Sequence, residues 1–494
     1  MEVKMHINKI KSINSLYFEF PTDSGLYAIT GENGSGKSTL ISSAATLFFN
    51  MPMNDYFGKP EGASISFSLG ETTRKWECIN GVWKRTYSTD RMQINGFYEG
   101  SIAFGNRFKD NNFSTIKKLE AVSKKDLYKA DEFVITNLGL ILHNDPRYYD
   151  NLFVLSKGAA EAHKLLGVHH FYLTDTNEYI SQIRMSTGEN LLISILYSLK
   201  TIYTKRKTHN DFKPCIIFLD EIELALHSSA LRRLILFLKQ ISDELNMAIF
   251  FSTHSLELIR EIKPQNIYYL QRNIDRTISV TNPCYPAFAT RNLYGDDGYG
   301  NDVVILVEDD FAKMIVDKIL YENDLLKNIR LKVLPTGGWT NTITMAYDIT
   351  SSHLLNKGTK LIVVLDRDIK DEVPDFIKNH KEYRGISIDY LPIKSLEKYL
   401  KHNLFIKVDN NLYNYYDTYL FQKRPIIAVI NDYKNGNKKD DLDGKILMGY
   451  ITNELKSMRK GREDLADITV KYLMKSQKEN IERLVEYLKE KIAD

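Results

Sequence analysis

A glycine-rich segment near the N-terminus has the residue types and spacing of a phosphate-binding loop. Residues 31–39 read Gly-Glu-Asn-Gly-Ser-Gly-Lys-Ser-Thr and fit the pattern G-x-x-x-x-G-K-[ST]. Gly34 and Gly36 let the backbone curl so that N–H groups face phosphates, Lys37 supplies positive charge, and Ser38 offers a hydroxyl to Mg²⁺. The segment predicts a site for ATP with Mg²⁺, contacted by Asn33, Gly34, Ser35, Gly36, Lys37, Ser38 and Thr39.

A second segment has the chemistry of a partner motif for this loop. Residues 215–223, CIIFLDEIE, form an apolar run that ends in two adjacent carboxylates. Asp220 is expected to hold the Mg²⁺ shell at the end of a buried strand. Glu221 is expected to polarise the attacking water as a general base. The alternative is a strand end with solvated acids.

Two further segments refine the nucleotide chemistry. MSTGEN (185–190) precedes a helix, so Ser186, Gly188 and the helix N-terminus predict a second anion-binding surface. FFSTHS (250–255) ends another apolar run with His254, which is placed to sense a γ-phosphate. A structural histidine, already satisfied by its neighbours, is the alternative for His254.

Acidic residues follow several apolar runs between residues 300 and 400. Glu308 ends VILVE, Asp366 and Asp368 end LIVVLDRD, and Glu397 lies near a helix start in LPIKSLEKYL. The two aspartates, two residues apart, are expected to point to one side of an extended backbone. Hard oxygen ligands gathered in this way suit Mg²⁺ or Mn²⁺ and can activate water against a phosphodiester. The alternative is that these acids only cap solvated strand ends.

The elements that must position these residues alternate between strands and helices. Apolar runs separated by helical patterns predict an α/β fold in residues 1–293, with a helical insertion over 110–180. The glycine-containing stretch 294–301 predicts a linker. A second α/β pattern then starts over 300–404, and a helical tail follows over 405–494. In the last helix, one packing face is predicted for Ile481, Leu484, Leu488 and Ile492.

Length and composition limit the class of protein. A chain of 494 residues predicts two or more domains, and 43% hydrophobic with 26% charged residues is typical of a soluble protein. The three cysteines, Cys78, Cys215 and Cys284, have no close pair, which argues against a disulfide scaffold. No apolar run approaches the ~20 residues of a membrane helix. The chain is expected to be cytoplasmic, without a membrane partner.

The order of the first four motifs resembles that of ABC-type ATPases, in the branch that includes Rad50, SMC and RecF proteins. MSTGE stands where that family has its LSGGE signature, and His254 stands at the switch histidine. Thr187 departs from the usual signature. In that family the signature of one protomer caps the ATP of the other. The resemblance therefore implies a head-to-tail homodimer, or a higher oligomer built from it.

The C-terminal acids resemble the TOPRIM domain of the OLD (overcoming lysogenization defect) family of nucleases. LVEDD, LDRD and LEKYL match that family's acidic motifs, which implies metal ligands at Glu308, Asp366, Asp368 and Glu397. DGKIL matches its lysine, which implies that Lys445 stabilises charge on the phosphate. His227 matches a histidine of the family's ATPase. Two departures are Asp309, in place of a glycine, and Ala312, in place of an acid.

The combined motifs predict an ATPase that controls a metal-dependent endonuclease cutting DNA. The OLD resemblance implies a role in antiphage defence, alone or with a partner protein or a retron. A RecF-like or SMC-like clamp with a non-catalytic TOPRIM domain is the leading alternative, and Ala312 favours it. An enzyme that cleaves RNA is the third.

Overall fold

The computed structural model divides into two compact units, Met1–Gly295 and Asp296–Asp494. The structure describes residues 1–48, 53–89, 92–100, 113–165, 167–209, 213–290, 300–356, 358–436 and 441–493. Most of the linker expected at 294–301 lies outside these residues.

Strands and helices of the N-terminal unit alternate from the first residues onward. Its strands are β1 (Glu2–Ile10), β2 (Ile13–Pro21), β3 (Gly25–Gly31), β4 (Ser64–Leu69), β5 (Thr72–Ile79), β6 (Val82–Ser88), β7 (Asn95–Glu99), β8 (Leu127–Lys129), β9 (Leu152–Leu155), β10 (His170–Leu173), β11 (Tyr179–Ser181), β12 (Cys215–Asp220), β13 (Ala248–Ser252), β14 (Ile267–Arg272) and β15 (Ile278–Thr281). Its helices are α1 (Lys37–Ala45), α2 (Met53–Phe57), α3 (Phe113–Glu120), α4 (Glu132–His143), α5 (Lys157–Ala162), α6 (Thr187–His209), α7 (Ser228–Leu245), α8 (Leu256–Ile259) and α9 (Pro286–Thr290).

A six-stranded sheet carries the nucleotide motifs. Its order is β15-β14-β3-β13-β12-β7, and β14, β3, β13, β12 and β7 run parallel. All residues of β12 and β13 are buried, as expected for parallel strands covered on both faces. The carboxyl ends of β3, β12 and β13 therefore lie side by side, where α/β sheets bind ligands.

An antiparallel sheet of order β2-β1-β4-β5-β6 shares a hydrophobic core with the six-stranded sheet. β1 alternates buried and exposed residues, so one face packs inward. Phe20 of β2 lies 5.2 Å from Phe218 and 5.1 Å from Phe250, measured between ring centroids. β7 is not part of this antiparallel sheet, because it joins the six-stranded sheet parallel to β12.

The insertion expected to be helical is mixed. Between residues 113 and 181 the described chain contains α3, α4 and α5, together with a four-stranded antiparallel sheet of order β11-β10-β9-β8. These strands are three or four residues long and rich in β-branched and aromatic side chains. The sequence prediction of helical arms was therefore incomplete.

The C-terminal unit contains a parallel sheet of order β17-β16-β18-β19, which confirms the strand–helix alternation expected there. Its strands are β16 (Val303–Val307), β17 (Leu331–Pro335), β18 (Lys360–Leu365) and β19 (Ile388–Tyr390). Its helices are α10 (Asp310–Glu322), α11 (Trp339–Ser351), α12 (Val373–Asn379), α13 (Leu396–Lys401), α14 (Asn410–Tyr419), α15 (Ile426–Gly436), α16 (Lys445–Ser457), α17 (Arg462–Ser476) and α18 (Lys478–Ala493).

Helices make up the rest of the C-terminal unit after β19. The last of them, α18, buries Ile481, Leu484, Leu488 and Ile492, so its predicted packing face is confirmed. Among the described residues, no helix is long and apolar enough to cross a membrane.

Candidate functional site

The phosphate-binding loop joins β3 to α1, as its motif requires. The ammonium of Lys37 donates hydrogen bonds of 3.0 Å to the backbone carbonyls of Gly31 and Glu32. Burial lowers the pKa of Lys37 to about 8, against the opposing effect of Glu221, Asp220 and Glu223. These three carboxylates therefore act electrostatically on Lys37, although they lie more than 180 residues away in sequence.

Glycines of the loop are required by backbone conformation and by close packing. Gly36 has φ of +98°, and a Cβ there would lie 2.8 Å from the Ile13 side chain. Gly31 would bring a Cβ to 2.3 Å from the carbonyl oxygen of Leu270. Beside them, the hydroxyl of Ser35 is buried with no hydrogen-bond partner among the described residues. A buried hydroxyl without a partner fits a loop that completes its hydrogen bonds with a bound phosphate.

Asp220 is positioned by a serine that the sequence analysis missed. Only 2% of Asp220 is exposed, and its carboxylate accepts a hydrogen bond of 2.5 Å from Ser252 Oγ at the end of β13. The same hydroxyl accepts a hydrogen bond of 2.9 Å from the backbone N–H of Glu221. The Ser252 side chain therefore holds both Asp220 and Glu221. In the sequence, the only sign of this role is that a serine ends the apolar run of β13.

Glu223 is a third carboxylate of the site. Its Oε1 accepts hydrogen bonds of 2.8 Å from Thr253 Oγ1 and from the backbone N–H of His254. His254 is thereby attached to the end of β12, close enough for Lys37 to act on it. Burial, and secondarily the charge of Lys37, lowers the pKa of the His254 imidazole. The ring is therefore favoured in its neutral form.

The environment of Glu221 suits a base. Burial, followed by the charges of Asp220 and Glu223, raises the pKa of the Glu221 carboxyl above its usual value, while Lys37 opposes the shift. Its backbone is left-handed, with φ of 53°. A raised pKa makes this carboxylate a better proton acceptor than a solvated glutamate.

The signature segment begins α6 with a capping box. The backbone N–H of Ser186 donates to Glu189 at 2.8 Å, and the backbone N–H of Glu189 donates to Ser186 Oγ at 3.3 Å. Glu189 also accepts a hydrogen bond of 2.6 Å from the hydroxyl of Tyr149. Ser186 is exposed, whereas Gly188 is buried, and a Cβ on Gly188 would lie 2.6 Å from the Ala225 carbonyl oxygen. The segment is thus packed onto the residues that follow Asp220.

The acids of the C-terminal unit meet at the ends of two neighbouring strands. Glu308 follows β16 and Asp366 follows β18, and the backbone N–H of Asp366 donates a hydrogen bond of 2.8 Å to Glu308. Asp366 is 6% exposed. Burial, and then the charges of Glu308, Asp309, Asp368 and Glu397, raises the pKa of Asp366 to about 8.

Asp368 does not lie on an extended backbone with Asp366, contrary to the sequence prediction. The chain turns at Asp366 into a 3₁₀-helix over Arg367–Ile369, so the two aspartates do not share an extended strand. One oxygen of Asp368 accepts a hydrogen bond of 2.6 Å from Lys398, and the other is buried with no hydrogen-bond partner in the part of the chain that the structure describes. Asp368 nevertheless stays near the other acids, because its charge raises the pKa of both Glu308 and Asp366.

Glu397 and Lys445 are brought together by a close backbone contact. Gly444, with φ of +75°, precedes α16, and a Cβ there would lie 2.4 Å from the Glu397 carbonyl oxygen. Burial raises the pKa of Glu397, whereas Lys445 and Arg462 lower it. Lys445 is the exposed first residue of α16. Asp441 holds the start of this helix, because its carboxylate accepts hydrogen bonds of 3.1 Å from the backbone N–H groups of Ile446 and Leu447.

The two departures from the TOPRIM pattern have structural roles. Asp309 caps α10, and its carboxylate accepts a hydrogen bond of 2.8 Å from the backbone N–H of Ala312. Ala312 itself is buried and 2% exposed, so it packs in the core.

The acid cluster fits a divalent cation in its chemistry. It offers oxygen donors, an unpartnered oxygen on Asp368, and a buried carboxyl whose pKa is raised by like charges. The positions of its side chains do not yet form a coordination site. Among the residues that the structure describes, no group of three or more His, Cys, Asp or Glu side chains is arranged to hold a metal ion. Binding would therefore require side chains to move, first of all Asp368 from Lys398.

Comparison with known proteins bears on the N-terminal unit. Residues 4–136 match the family described as AAA domain. A search of curated proteins found no match. Similar solved structures include the SMC head domain from Thermotoga maritima, with 13% identity and a TM-score of 0.31, covering 57% of this chain and 99% of that one.

Two other solved structures are SMC heads bound to parts of ScpA. One, from Pyrococcus furiosus, has an extended coiled coil and is bound to the ScpA C-terminal domain; it shares 12% identity, has a TM-score of 0.36, and covers 57% of this chain and 95% of that one. The other is bound to the C-winged helix domain of ScpA, with 13% identity, a TM-score of 0.34, and coverage of 56% and 96%. The AAA domain match, together with the phosphate-binding loop geometry, supports a nucleotide-binding ATPase domain in the N-terminal unit.

Proposed function

We propose that this protein is an ATP-hydrolysing, metal-dependent TOPRIM endonuclease of the OLD type that cuts DNA. One observation carries the proposal. A nucleotide site built around Lys37 and a buried carboxylate cluster built around Asp366 occur in the same chain. Either site alone has simpler explanations, but the pair matches an enzyme whose nucleotide state controls a nuclease.

In the ATPase half, each residue has a role that its contacts support. The backbone of the loop and Lys37 bind the β- and γ-phosphates, and Ser38 with Asp220 would hold Mg²⁺. Ser252 fixes Asp220 and aligns the backbone of Glu221, which takes the proton of the attacking water. His254, held by Glu223, contacts the γ-phosphate. The exposed Ser186 at the start of α6 would cap the ATP of a second protomer in a head-to-tail homodimer.

In the nuclease half, Glu308, Asp366, Asp368 and Glu397 would hold Mg²⁺ or Mn²⁺. A cation bound there polarises the phosphodiester and lowers the pKa of water. Positive charge that enters the cluster would favour the ionised form of Asp366, because its pKa is otherwise raised to about 8. Lys445, which is exposed and acts electrostatically on Glu397, would stabilise charge on the phosphate.

The two activities are coupled through dimerisation in this proposal. ATP binding would join two N-terminal units and hydrolysis would release them, so the nucleotide state would set the arrangement of the nuclease units. Such control suits an enzyme of antiphage defence, acting alone or with a partner protein or a retron, because uncontrolled DNA cleavage would harm the cell.

The proposal is tested by plasmid cleavage with Mg²⁺ or Mn²⁺, with and without ATP. We expect the wild-type chain to cut and Glu308→Ala and Asp366→Ala to lose cleavage. Asp371→Ala is the matched control, because Asp371 is exposed just beyond the 3₁₀-helix. Cleavage that survives both cluster substitutions would refute the nuclease assignment. Total RNA in place of plasmid tests the RNA-cleaving alternative.

A non-catalytic clamp that binds nucleic acid is the second candidate. The ion pair between Lys398 and Asp368, with Ala312 in place of an acid, favours it, because both reduce the ligands available to a metal. Calorimetry with Mn²⁺ separates the two. The nuclease requires binding that Asp366→Ala weakens, whereas the clamp predicts no binding at the cluster in either protein.

A further inference from the structure

A cavity of about 780 Å³ lies in the N-terminal unit away from the phosphate-binding loop. It is lined by Thr46–Phe48 after α1, by β5 and β6, by the residues leading into β7, and by the second half of α6. None of residues 31–39 is among the lining residues. Ligand pockets of proteins span roughly 300–1,000 Å³, so this one has the size for a nucleotide.

The charge of the cavity is one-sided. Its lining includes the cationic side chains Arg74, Arg85, Lys205 and Arg206, and no described lining residue is an Asp or a Glu. Arg74 is held in place by a hydrogen bond of 3.1 Å to the carbonyl oxygen of Leu47. Clustered cations with no facing carboxylate raise the local concentration of anions. The described lining of the cavity therefore favours an anionic ligand.

The hydrogen bonding of Arg206 is further evidence for an anionic ligand. It is 7% exposed, and one of its Nη groups donates to the carbonyl oxygen of Lys213 at 2.8 Å. Its Nε is buried without a hydrogen-bond partner among the described residues. Burying part of a guanidinium without an acceptor is costly, and an anion in the cavity would supply that acceptor.

An aromatic wall completes the cavity. The guanidinium of Arg85 lies 4.9 Å from the centroid of the Trp76 ring, and the indole N–H of Trp76 is also buried with no hydrogen-bond partner in the described segments. A stacked Trp–Arg pair offers a flat surface for a nucleobase. Cations beside a flat aromatic surface match the two halves of a nucleotide.

We propose that this cavity binds a free nucleoside phosphate, at a site separate from the phosphate-binding loop. Arg74, Lys205 and Arg206 contact the phosphate, and the wall formed by Trp76 and Arg85 receives the base. The site also adjoins two helices that begin at nucleotide motifs, because α1 starts at Lys37 and α6 at Thr187. A ligand at their far ends is therefore positioned to regulate ATP turnover.

The test is equilibrium dialysis of radiolabelled AMP against the full chain, with the phosphate-binding loop saturated by ATPγS and Mg²⁺. We expect AMP to bind under these conditions. Arg85→Gln and Lys205→Gln should each weaken that binding about 5- to 10-fold, through loss of a charged contact. The matched controls are Lys84→Gln on β6 and Lys207→Gln on α6. Neither residue lines the cavity, so both proteins should bind AMP within about 2-fold of wild type.

Three results would overturn the proposal. The first is AMP binding that disappears when ATPγS fills the loop, and the second is binding that neither Arg85→Gln nor Lys205→Gln weakens. The third is a preference for adenosine, or for a short 5′-phosphorylated oligonucleotide, over AMP. Tryptophan fluorescence gives a second readout. AMP should quench emission in the Trp83→Phe protein but not in the Trp76→Phe protein.

Discussion

The backbone N–H of Asp366 donates a hydrogen bond of 2.8 Å to the carboxylate of Glu308. This bond connects the ends of β18 and β16 and fixes the distance between two acids that would otherwise repel each other. Burial and the surrounding carboxylates raise the pKa of Asp366 to about 8. Full ionisation of the cluster is therefore unfavourable without a nearby positive charge. A bound cation would supply that charge, so the cluster has the electrostatics of a cation site.

Replacing Asp366 with Asn should stabilise the metal-free protein at pH 7. The pKa of Asp366 is higher in the folded chain, at about 8, than in an unfolded chain, at ~3.8. Folding stability of the wild type therefore falls as pH rises between these values, and Asn removes that loss. We expect a gain on the order of 2 kcal/mol, measured by urea unfolding in EDTA.

The gain in the Asp366→Asn protein should shrink as pH falls through 4, because the carboxyl of the unfolded chain, with a pKa of ~3.8, then becomes protonated as well. Asp371→Asn, at an exposed position, should change stability by less than about 0.5 kcal/mol. An Asp366→Asn protein less stable than wild type in EDTA at pH 7 would contradict the prediction.

Substitutions at Lys37 and Glu221 should separate ATP binding from hydrolysis. Lys37→Ala removes the charge beside the phosphates, so affinity for ATP should fall at least about 10-fold. Glu221→Gln removes the proton acceptor, so the rate of phosphate release should fall about 100-fold or more, while ATP binding stays within about 3-fold. Both are measured with a fluorescent ATP analogue and a phosphate-release assay.

Glu257→Gln is the control for these two proteins, because Glu257 is an exposed residue of the short helix α8. Its ATP binding and hydrolysis should match wild type. Hydrolysis at the wild-type rate in the Glu221→Gln protein would show that another group accepts the proton.

Much of the nucleotide site could be predicted because its signals are local. The glycine loop and the apolar runs that became β12 and β13 are each recognisable within a few residues. Contacts between distant segments could not be predicted. Ser252 binds Asp220 across 32 residues, and nothing in either segment specifies the pairing. The ion pair of Lys398 with Asp368 likewise depends on how α13 is placed against the end of β18.

Short elements were the other source of error. β8 to β11 are three or four residues long, too short for a period of two to stand out from a helical pattern. The turn at Asp366 was missed for a similar reason, because a 3₁₀-helix of three residues has no distinct sequence pattern.

Gly444→Ala should disturb both Glu397 and Lys445. The new Cβ would lie 2.4 Å from the Glu397 carbonyl oxygen, and the residue would keep an unfavourable φ of +75°. We expect a loss of about 3 kcal/mol in folding stability, from strain and from displacement of α13, measured by thermal unfolding.

Gly337→Ala is the matched control for that change. Gly337 also has a positive φ, of +85°, but a Cβ there meets nothing within 4 Å. Only the backbone penalty of about 1 kcal/mol should therefore appear. Equal losses in the two proteins would show that the close contact at Gly444 relaxes freely.

Acid should destabilise the N-terminal unit through His170. Burial lowers the pKa of His170 to about 4, whereas its hydrogen bond to Gln182, of 3.2 Å, opposes the shift. The folded state therefore resists protonation that an unfolded chain accepts near pH 6.5. Its contribution to stability is complete above pH 6.5 and is lost as pH falls to 4, by about 3 kcal/mol.

His170→Asn should flatten this pH dependence, because asparagine keeps a nitrogen near Gln182 and does not titrate. The measurement is the urea midpoint between pH 4 and 7. His227→Asn, at an exposed position before α7, should follow the wild-type curve. Parallel curves for wild type and His170→Asn would assign the acid sensitivity to other groups.

Tyr149→Phe should destabilise the signature segment (185–190) without removing a group that would contact the nucleotide. The Tyr149 hydroxyl donates to Glu189 at 2.6 Å, and Glu189 in turn accepts from the backbone of Ser186. Loss of the hydroxyl should cost about 1–2 kcal/mol of stability and reduce ATP turnover several-fold, with unchanged ATP affinity. Tyr148→Phe is the matched control, because its half-exposed ring stacks on His143 and needs no hydroxyl. A Tyr149→Phe protein that loses stability but keeps full turnover would leave Tyr149 with a role in packing alone.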